Sequence, residues 1–363
     1  MKLNCGFVGL PNVGKSTLFN ALSNNSIAAE NYPFCTIEPN VGVVEVPDER
    51  LKILSKIFVA QKTTYNTIEF IDIAGLVKNA HQGEGLGNQF LSQIRSVKVV
   101  VQVIRFFEDK SVAHVENRIS PIDDMEIINT ELLLADIKTV EKSLKKNEKL
   151  IKARKPEGMV ASIVLNNLLE HLNKGFSCKS FQRNSKENDV IKNLFLLTDK
   201  PMLCVANTGE NNITINQIKN DFVLQGLLPP AFITINGKLE SEITDLNKEE
   251  RQLMLNEHGL NEPGLNSLIK ESYKALDLQT FFTCNEKEVR AWTVAKGASA
   301  VDAAKEVHTD FAKKFIKAEI YNFDDAIKHK NNIKDLKTLG LVKIVGKDYI
   351  MQEGDIAYFI KGQ

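Results

Sequence analysis

The feature that most constrains this chain is a glycine-rich segment close to its start. Residues 9–16 read GLPNVGKS and lie between an apolar run that predicts a buried strand and a stretch that predicts a helix. Gly9 and Gly14 permit backbone angles that turn successive N–H groups inward, and the helix N-terminus adds partial positive charge. In such a loop Lys15 reaches nucleotide phosphates and Ser16 offers its hydroxyl to Mg²⁺. The segment therefore predicts a P-loop nucleotide-binding site.

Apolar runs typical of buried strands recur along the chain, with helical stretches between them. They occupy residues 3–8, 41–46, 67–71, 97–104, 202–206 and 231–235. This alternation favours an α/β fold, in which a mostly parallel sheet has helices on both faces. The long interval between the fourth and fifth runs has no strong strand pattern. Its apolar residues fall at helical spacing, so it predicts an inserted helical hairpin, in the form of a coiled coil or a simpler pair.

The pattern changes again beyond Leu278. Residues 289–293 resemble a strand, residues 300–308 resemble a helix, and two runs at 341–345 and 355–360 bracket a glycine-containing hairpin. We expect a small α+β module there. The predicted domains are a nucleotide-binding core at 1–110 and 200–277, a helical insertion at 111–199 and a C-terminal module at 278–363.

Charge and composition exclude several function classes. Lys and Arg number 46 and so do Asp and Glu, which leaves no overall basic field and no reason to expect DNA binding. An RNA or ribosome contact would need a local patch, and residues 142–155 offer one, although a solvated helix end is the favoured explanation of these residues. The apolar run at 97–107 is too short to span a bilayer and is interrupted by Lys98, Gln102 and Arg105. We expect a soluble cytoplasmic protein that does not contact membranes.

A second motif, DIAG at residues 72–75, follows a predicted strand. Asp72 at the carboxyl end of that strand is positioned for the magnesium shell, and Gly75 can offer its N–H to a γ-phosphate. Thr36 lies between the two motifs. It would close onto magnesium only while the γ-phosphate is present, which would make its loop a switch, or else it is an ordinary turn residue.

A third motif, NTGE at residues 207–210, lies where GTPases carry Asn-Lys-x-Asp. Thr208 replaces the lysine that lies along the base, and Glu210 replaces the aspartate that reads guanine. The amide of Asn207 can pair with the amino and N7 edge of adenine. ATP is therefore the favoured nucleotide, with guanine recognition by Glu210 as the alternative.

These motifs resemble the YchF/Obg-like ATPase family over essentially the whole chain. The segments that carry the resemblance are GLPNVGKSTLFNAL, YPFCTIEPNVGVVEVPDERL, DIAGLVKNAHQGEGLGNQFL, NTGE, LQTFFTCNEKEVRAWTVAKGASAVDAAKEVHTDF and GKDYIMQEGD. The resemblance implies a P-loop core with an inserted helical arm and a C-terminal TGS domain of the β-grasp type. It also implies a preference for ATP over GTP, a need for Mg²⁺, and association with ribosomes.

Site residues follow from the resemblance position by position. The residues that would wrap the phosphates are Asn12, Val13, Gly14, Lys15, Ser16 and Thr17. Ser16 and Thr36 would bind magnesium together with Asp72. Asn207 and Thr208 would lie against adenine, and Phe107 would line the base pocket unless it is an ordinary core aromatic.

The residue that activates water is less constrained. Leu76 stands where Ras-like proteins carry a water-orienting glutamine, so His81 is the candidate catalytic residue, with Gln82 and Glu84 as rivals. Slow turnover accelerated by a partner or a cation is the competing explanation. Asn12 matches the residue type with which cation-stimulated relatives hold K⁺, which makes K⁺ a second candidate cofactor.

The expected function is a ribosome-associated ATPase that hydrolyses ATP to ADP and phosphate. It would act as a nucleotide-dependent switch in translation or stress regulation, on the large ribosomal subunit, through the TGS domain, the helical arm or both. Two alternatives stay open. One is an ATP-binding protein whose hydrolysis is incidental to ribosome interaction, and the other is a GTPase of ribosome assembly.

Overall fold

The computed structural model describes residues 3–24, 40–73, 86–108, 120–152, 156–209, 215–224, 232–330 and 332–362. The chain forms two compact units. The first unit comprises Met1–Val44 and Glu69–Leu268, and the second comprises Glu45–Ile68 and Ile269–Gln363. The strands are β1 (Asn4–Val8), β2 (Val41–Glu45), β3 (Lys62–Thr64), β4 (Thr67–Asp72), β5 (Val99–Arg105), β6 (Met202–Asn207), β7 (Phe232–Ile235), β8 (Leu278–Cys284), β9 (Glu288–Ala295), β10 (Phe315–Asn322), β11 (Lys343–Val345) and β12 (Asp355–Lys361).

Helices connect these strands. They are α1 (Lys15–Asn24), α2 (Glu49–Ile57), α3 (Leu86–Ser96), α4 (Pro121–Lys152), α5 (Pro156–Asn173), α6 (Ser185–Lys192), α7 (Ile215–Leu224), α8 (Gly237–Thr244), α9 (Lys248–Glu257), α10 (Gly264–Ala275), α11 (Ala300–Val307), α12 (Thr309–Lys313), α13 (Phe323–Lys328) and α14 (Ile333–Thr338). A short 3₁₀ helix, Cys178–Ser180, follows α5.

The sheet of the first unit has the strand order β2-β4-β1-β5-β6-β7. β1 is parallel to β4 and β5, and β5, β6 and β7 continue the parallel pairing. Every residue of β5 is buried, as expected for a central strand covered on both faces. The predicted α/β fold with a mostly parallel sheet is confirmed. Its consequence for function is that β1, β4, β5 and β6 end at one edge of the sheet, where ligands of such folds bind.

The predicted helical insertion is formed by α4 and α5. Pro121 begins α4 at a position where its missing N–H is not needed, and Asp123 and Asp124 complement the helix N-terminus. The two helices share a core that contains Val140, Val164, Leu165, Leu168 and Leu172. Among the described residues, no helix is both long and apolar enough to cross a membrane.

The second unit is built on a mixed sheet with the order β11-β10-β12-β8-β9-β3. Side chains alternate between its two faces, so the neighbours Phe281 and Phe282 belong to different cores. Phe281 packs with the small residues of α11, whereas Phe282 packs with Leu51 and Leu54 of α2. The segment 45–68, which lies early in the chain, is therefore part of the core of this unit.

Two features of the second unit differ from the sequence-based expectation. The predicted hairpin between the runs at 341–345 and 355–360 is wrong, because β11 and β12 each pair with β10, which lies between them. A strand has hydrogen-bonding groups along both of its edges, and β10 uses one edge for β11 and the other for β12. In addition, β3 pairs with β9 in parallel, far from it in sequence. The three-domain division stays a prediction.

Candidate nucleotide-binding site

The glycine-rich segment forms a tight turn between the end of β1 and the start of α1. Asn12 has φ +64° and Gly14 has φ +88°, so two residues of the turn adopt left-handed backbone conformations. Asparagine tolerates this region better than most residues, which explains its presence there. The N–H of Leu18 donates to the Gly14 carbonyl at 3.1 Å as the first bond of the helix. The first N–H groups of a helix have no acceptor within the helix itself, so they can bind an anion at the helix N-terminus.

Lys15, Ser16 and Asp72 converge at this edge of the sheet. Asp72 ends β4, and its position is fixed by pairing with Phe7 of β1. The ammonium of Lys15, a buried residue, forms an ion pair with Asp72 Oδ1. The hydroxyl of Ser16 donates to Asp72 Oδ2 over 3.3 Å. The lysine predicted for phosphate and both described residues predicted for magnesium are thus brought together.

The chemistry of these groups suits a divalent cation. A hydroxyl and a carboxylate are the hard oxygen ligands that Mg²⁺ accepts, and P-loop nucleotide hydrolase domains of this kind use such a metal alongside the phosphates. The residues present therefore fit the ion. A bound triphosphate would offer Lys15 anionic oxygens in place of the carboxylate.

Asn207, the last residue of β6, is buried and fixes the turn. Its Nδ2 donates to the carbonyl of Val13 at 3.0 Å, and its Oδ1 accepts from the N–H of Gly237 at 3.1 Å. A Cβ on Gly14 would lie only 2.1 Å from the same Nδ2, so glycine is needed there for space as well as for its φ angle. Both ends of the Asn207 amide therefore contact main-chain groups, including one of the phosphate-binding turn.

The start of the NTGE loop adjoins Phe107. Thr208 is buried, and its N–H donates to the carbonyl of Ile235 at 3.0 Å. Gly209 has φ +57°, and a Cβ there would lie 2.6 Å from Phe107 Cβ. The Phe107 ring also lies 3.9 Å from the position of a Cβ on Gly14. Phe107 is half-buried between the phosphate-binding turn and the start of the NTGE loop. At this position its ring could form one wall of a base pocket.

Sequence reasoning missed Arg105, the last residue of β5. Its side chain is 1% exposed and lies at the same edge of the sheet as the turn. Its Nη1 donates to the Asn12 carbonyl at 3.4 Å, and its Nε donates to the Phe107 carbonyl at 3.1 Å. The sequence signal for Arg105 is a charged residue at the end of a largely apolar strand. A buried charge needs specific partners, so such a residue is a candidate for a structural or functional role.

The remaining predicted residues divide into two groups. Val13, a residue of the turn itself, is buried, whereas Thr17 is exposed on α1. Thr36, Gly75, His81 and Glu210 lie outside the described residues. Their roles on magnesium, γ-phosphate, water and base stay predictions.

Two models of known protein families match parts of this chain. Residues 4–138 match the family model described as 50S ribosome-binding GTPase. Residues 278–361 match the model of the YchF GTPase C-terminal domain, which is described as a protein of unknown function.

Full-length relatives are similar to the chain throughout. The Ribosome-binding ATPase YchF of Escherichia coli O157:H7 is 44% identical over 364 residues, which cover 99% of each chain. The protein of the same name from Bacillus subtilis (strain 168) is 43% identical with the same coverage. A solved structure of the Schizosaccharomyces pombe YchF GTPase matches with a TM-score of 0.86 at 34% identity, over 99% of this chain and 98% of that one. Sequence and fold agree over the full length, and the chain belongs to the YchF family.

Proposed function

We propose that this chain is a ribosome-associated ATPase that hydrolyses ATP to ADP and phosphate with Mg²⁺. The observation that carries the proposal is the convergence of Lys15, Ser16 and Asp72 beside the phosphate-binding turn. Lys15 would bind the β- and γ-phosphates, while Ser16 and Asp72, with Thr36, would hold the metal. The metal would neutralise charge on the transferred phosphoryl group, and the turn would hold that group in line for attack by water.

ATP is the proposed substrate, in preference to GTP. In Asn-Lys-x-Asp GTPases a lysine lies along the base, and here the equivalent residue is the buried Thr208. Phe107 and Thr208 would form the walls of an adenine pocket, together with Asn207 and Glu210. The names of the similar proteins differ on this point, because the bacterial relatives are called ATPases and the fission yeast structure is called a GTPase. Guanine recognition through Glu210 is therefore the alternative to test.

Activation of water is proposed to depend on His81, and acceleration by a partner or a monovalent cation is the competing proposal. Gly75 would bind the γ-phosphate through its N–H as the loop closes. Asn12 is exposed at the phosphate-binding turn, where an amide oxygen can contribute to a K⁺ site. A rate that is the same in K⁺ and in Na⁺ would exclude this role.

The ribosome, specifically its large subunit, is the proposed partner in the cytoplasm. The relatives are named for ribosome binding, and α4 presents the exposed residues Lys142, Lys145 and Lys146. Such a cluster suits the phosphate backbone of RNA. Exposed lysines of the C-terminal TGS domain, Lys313 and Lys314, offer a second contact. The nucleotide state would set the affinity of these surfaces for the ribosome, as a switch in translation or stress regulation.

The nucleotide part is tested by calorimetry with MgATP, MgGTP and MgADP. We expect tighter binding of ATP than of GTP, and the reverse order would favour the GTPase alternative. Asp72→Asn should lower ATP turnover by roughly 100-fold, since a metal supplies several kcal/mol of charge stabilisation. Asn20→Ala, an exposed change on α1, is the matched control and should leave turnover unchanged.

The ribosome part is tested by co-sedimentation with ribosomes in ATP and in ADP. Replacement of Lys142, Lys145 and Lys146 by Glu should weaken the interaction and reduce its salt dependence. Replacement of Lys186 and Lys192, exposed lysines of α6, is the control. If ribosomes bind equally in both nucleotides and do not change turnover, a binding protein with incidental hydrolysis replaces the switch.

A further inference from the structure

Arg105 joins two parts of the nucleotide-binding site that are separate in sequence. Its guanidinium, at the end of β5, donates to the carbonyl of Asn12 in the phosphate-binding turn. It also donates to the carbonyl of Phe107, and its Cζ lies 4.4 Å from the centroid of the Phe107 ring. One buried cation therefore contacts both the turn and the aromatic wall.

The contact with Asn12 matters because of how such a turn binds anions. Its N–H groups must point at the phosphates, so its carbonyls must point away and find donors elsewhere. The carbonyl of Asn12 accepts a hydrogen bond from Arg105, and the carbonyl of Val13 accepts one from Asn207. The left-handed conformation of Asn12, at φ +64°, is thereby held from behind by a charged hydrogen-bond donor.

The contact with Phe107 acts on the base side. A guanidinium stacked on an aromatic face stabilises one ring orientation through cation–π attraction. The second bond, to the Phe107 main chain, fixes the residue that carries the ring. Arginine is suited to this double task, because its planar fork presents several donors in fixed directions and stays charged when buried.

We propose that Arg105 is a positioning residue of the nucleotide site. It holds the phosphate-binding turn and the aromatic wall of the base pocket in one geometry, so that its loss weakens the binding of both the triphosphate and the base. This inference rests on the proposed function, since it takes ATP as the ligand.

The test compares two ligands and two arginines. MgATP and Mg-tripolyphosphate, which has no base, are titrated calorimetrically into the wild type and into Arg105→Met, Arg105→Lys and Phe107→Leu. Arg251→Met is the matched control, because Arg251 also donates to main-chain carbonyls, those of Ile243 and Thr244 among them, in α8 rather than at the site. Thermal melts of every variant record any loss of folding separately from affinity.

Arg105→Met should lower the affinity for both ligands by roughly tenfold or more, because the hydrogen bonds from a charged group are lost. Arg105→Lys should recover part of this loss, since a lysine can reach one carbonyl. Phe107→Leu should weaken the binding of ATP alone. In the double variant that combines Arg105→Met with Phe107→Leu, the two losses of ATP affinity should be less than additive, because Arg105 acts partly through the ring.

Two results would overturn the inference. A lower melting temperature of Arg105→Met, together with binding of both ligands as tight as that of Arg251→Met, would make Arg105 a purely structural residue. Unchanged tripolyphosphate binding alongside weakened ATP binding would remove its role in the turn. Failure of the wild type to bind ATP would instead contradict the proposed function, so the two failures are distinguishable.

Discussion

Arg105 and Asn207 are register partners at the ends of adjacent parallel strands, and each donates to one of two consecutive carbonyls of the phosphate-binding turn. The turn is therefore supported by the sheet itself, through side chains that project from its carboxyl edge. This arrangement allows the N–H groups of the turn to be preorganised before a ligand arrives, which is how a binding site avoids a large ordering cost.

Replacement of Asn207 by Asp is expected to harm nucleotide binding at least as much as replacement by Ala. The carboxylate would keep the contact with the Gly237 N–H but would face the Val13 carbonyl with another acceptor. Affinity for ATP, measured by calorimetry, should fall by roughly 10- to 100-fold in both variants. Asn193→Asp, an exposed residue with a local amide bond, is the control. Near-normal affinity in Asn207→Asp would show that the Val13 contact is dispensable.

Gly14→Ala and Gly175→Ala separate backbone strain from steric conflict. Both glycines have φ +88°, but a Cβ at Gly14 lies 2.1 Å from Asn207 Nδ2, whereas a Cβ at Gly175 meets no atom of the described residues within 4 Å. The left-handed conformation alone should lower the free energy of unfolding by roughly 1–2 kcal/mol in each. We expect Gly14→Ala to lose ATP binding as well. Urea denaturation and calorimetry measure the two effects, and intact binding in Gly14→Ala would contradict the close approach.

Tyr273→Phe tests a buried hydroxyl network in the second unit. The Tyr273 hydroxyl bonds Thr280 and Thr293 at 2.9 Å each, and burial raises the pKa of the phenol to about 12, so the proton stays in place. Removing the Tyr273 hydroxyl takes one partner from the buried Thr280 hydroxyl and one from the half-buried Thr293 hydroxyl, so the free energy of unfolding should fall by about 1–3 kcal/mol. Tyr358→Phe, 67% exposed, should change stability by no more than about 0.5 kcal/mol. Equal effects in urea denaturation would discount the network.

Glu240 makes stability depend on pH. Burial raises the pKa of this carboxyl above its ordinary value, against the opposing effect of the amide N–H groups of Gly264 and Leu265. The folded state then holds the proton more tightly than the unfolded state does. Its stabilising contribution is complete below the unfolded pKa and is lost as pH rises through the folded pKa. The free energy of unfolding of the wild type should therefore fall relative to that of Glu240→Gln as pH rises from about 4. Urea denaturation of both proteins between pH 4 and 8 measures this, and a wild type that gains stability relative to Glu240→Gln as pH rises would contradict the sign we assign.

Much of the first unit was predictable because its central strands β1, β5 and β6 are buried on both faces. Such strands appear in the sequence as continuous apolar runs. All three were predicted near their observed positions, as were β2, β4 and β7. β3 was not predicted, since three residues reading KTT have no apolar pattern and their partner strand begins at Glu288. Pairing between distant segments depends on tertiary packing that a local pattern does not encode.

For the candidate site, the sequence predicted which residues take part better than it predicted which atoms they contact. The turn, Lys15 and Asp72 follow from motifs whose spacing reflects a fixed geometry. By contrast, Arg105 was seen in the sequence only as an interruption of an apolar run. Asn207 was predicted to lie against the base, and its amide contacts Val13 and Gly237 in the structure. The hydrogen-bond partner of a buried amide or guanidinium depends on the loops around it. The sequence therefore identifies the polar group but not the partner to which it bonds.

The parallel pairing of β3 with β9 bears on how this protein can be divided in the laboratory or by recombination. A fragment that starts at residue 278 would lack β3, and the Thr64 hydroxyl bond to Glu288 at 2.6 Å would go with it. It would also lack Leu51 and Leu54, which are fully buried against Phe282 in the complete chain. The excised module would present an open strand edge beside an uncovered apolar surface, a combination that favours aggregation. To stay soluble, the excised module should therefore also contain residues 45–68, supplied either in trans or by circular permutation.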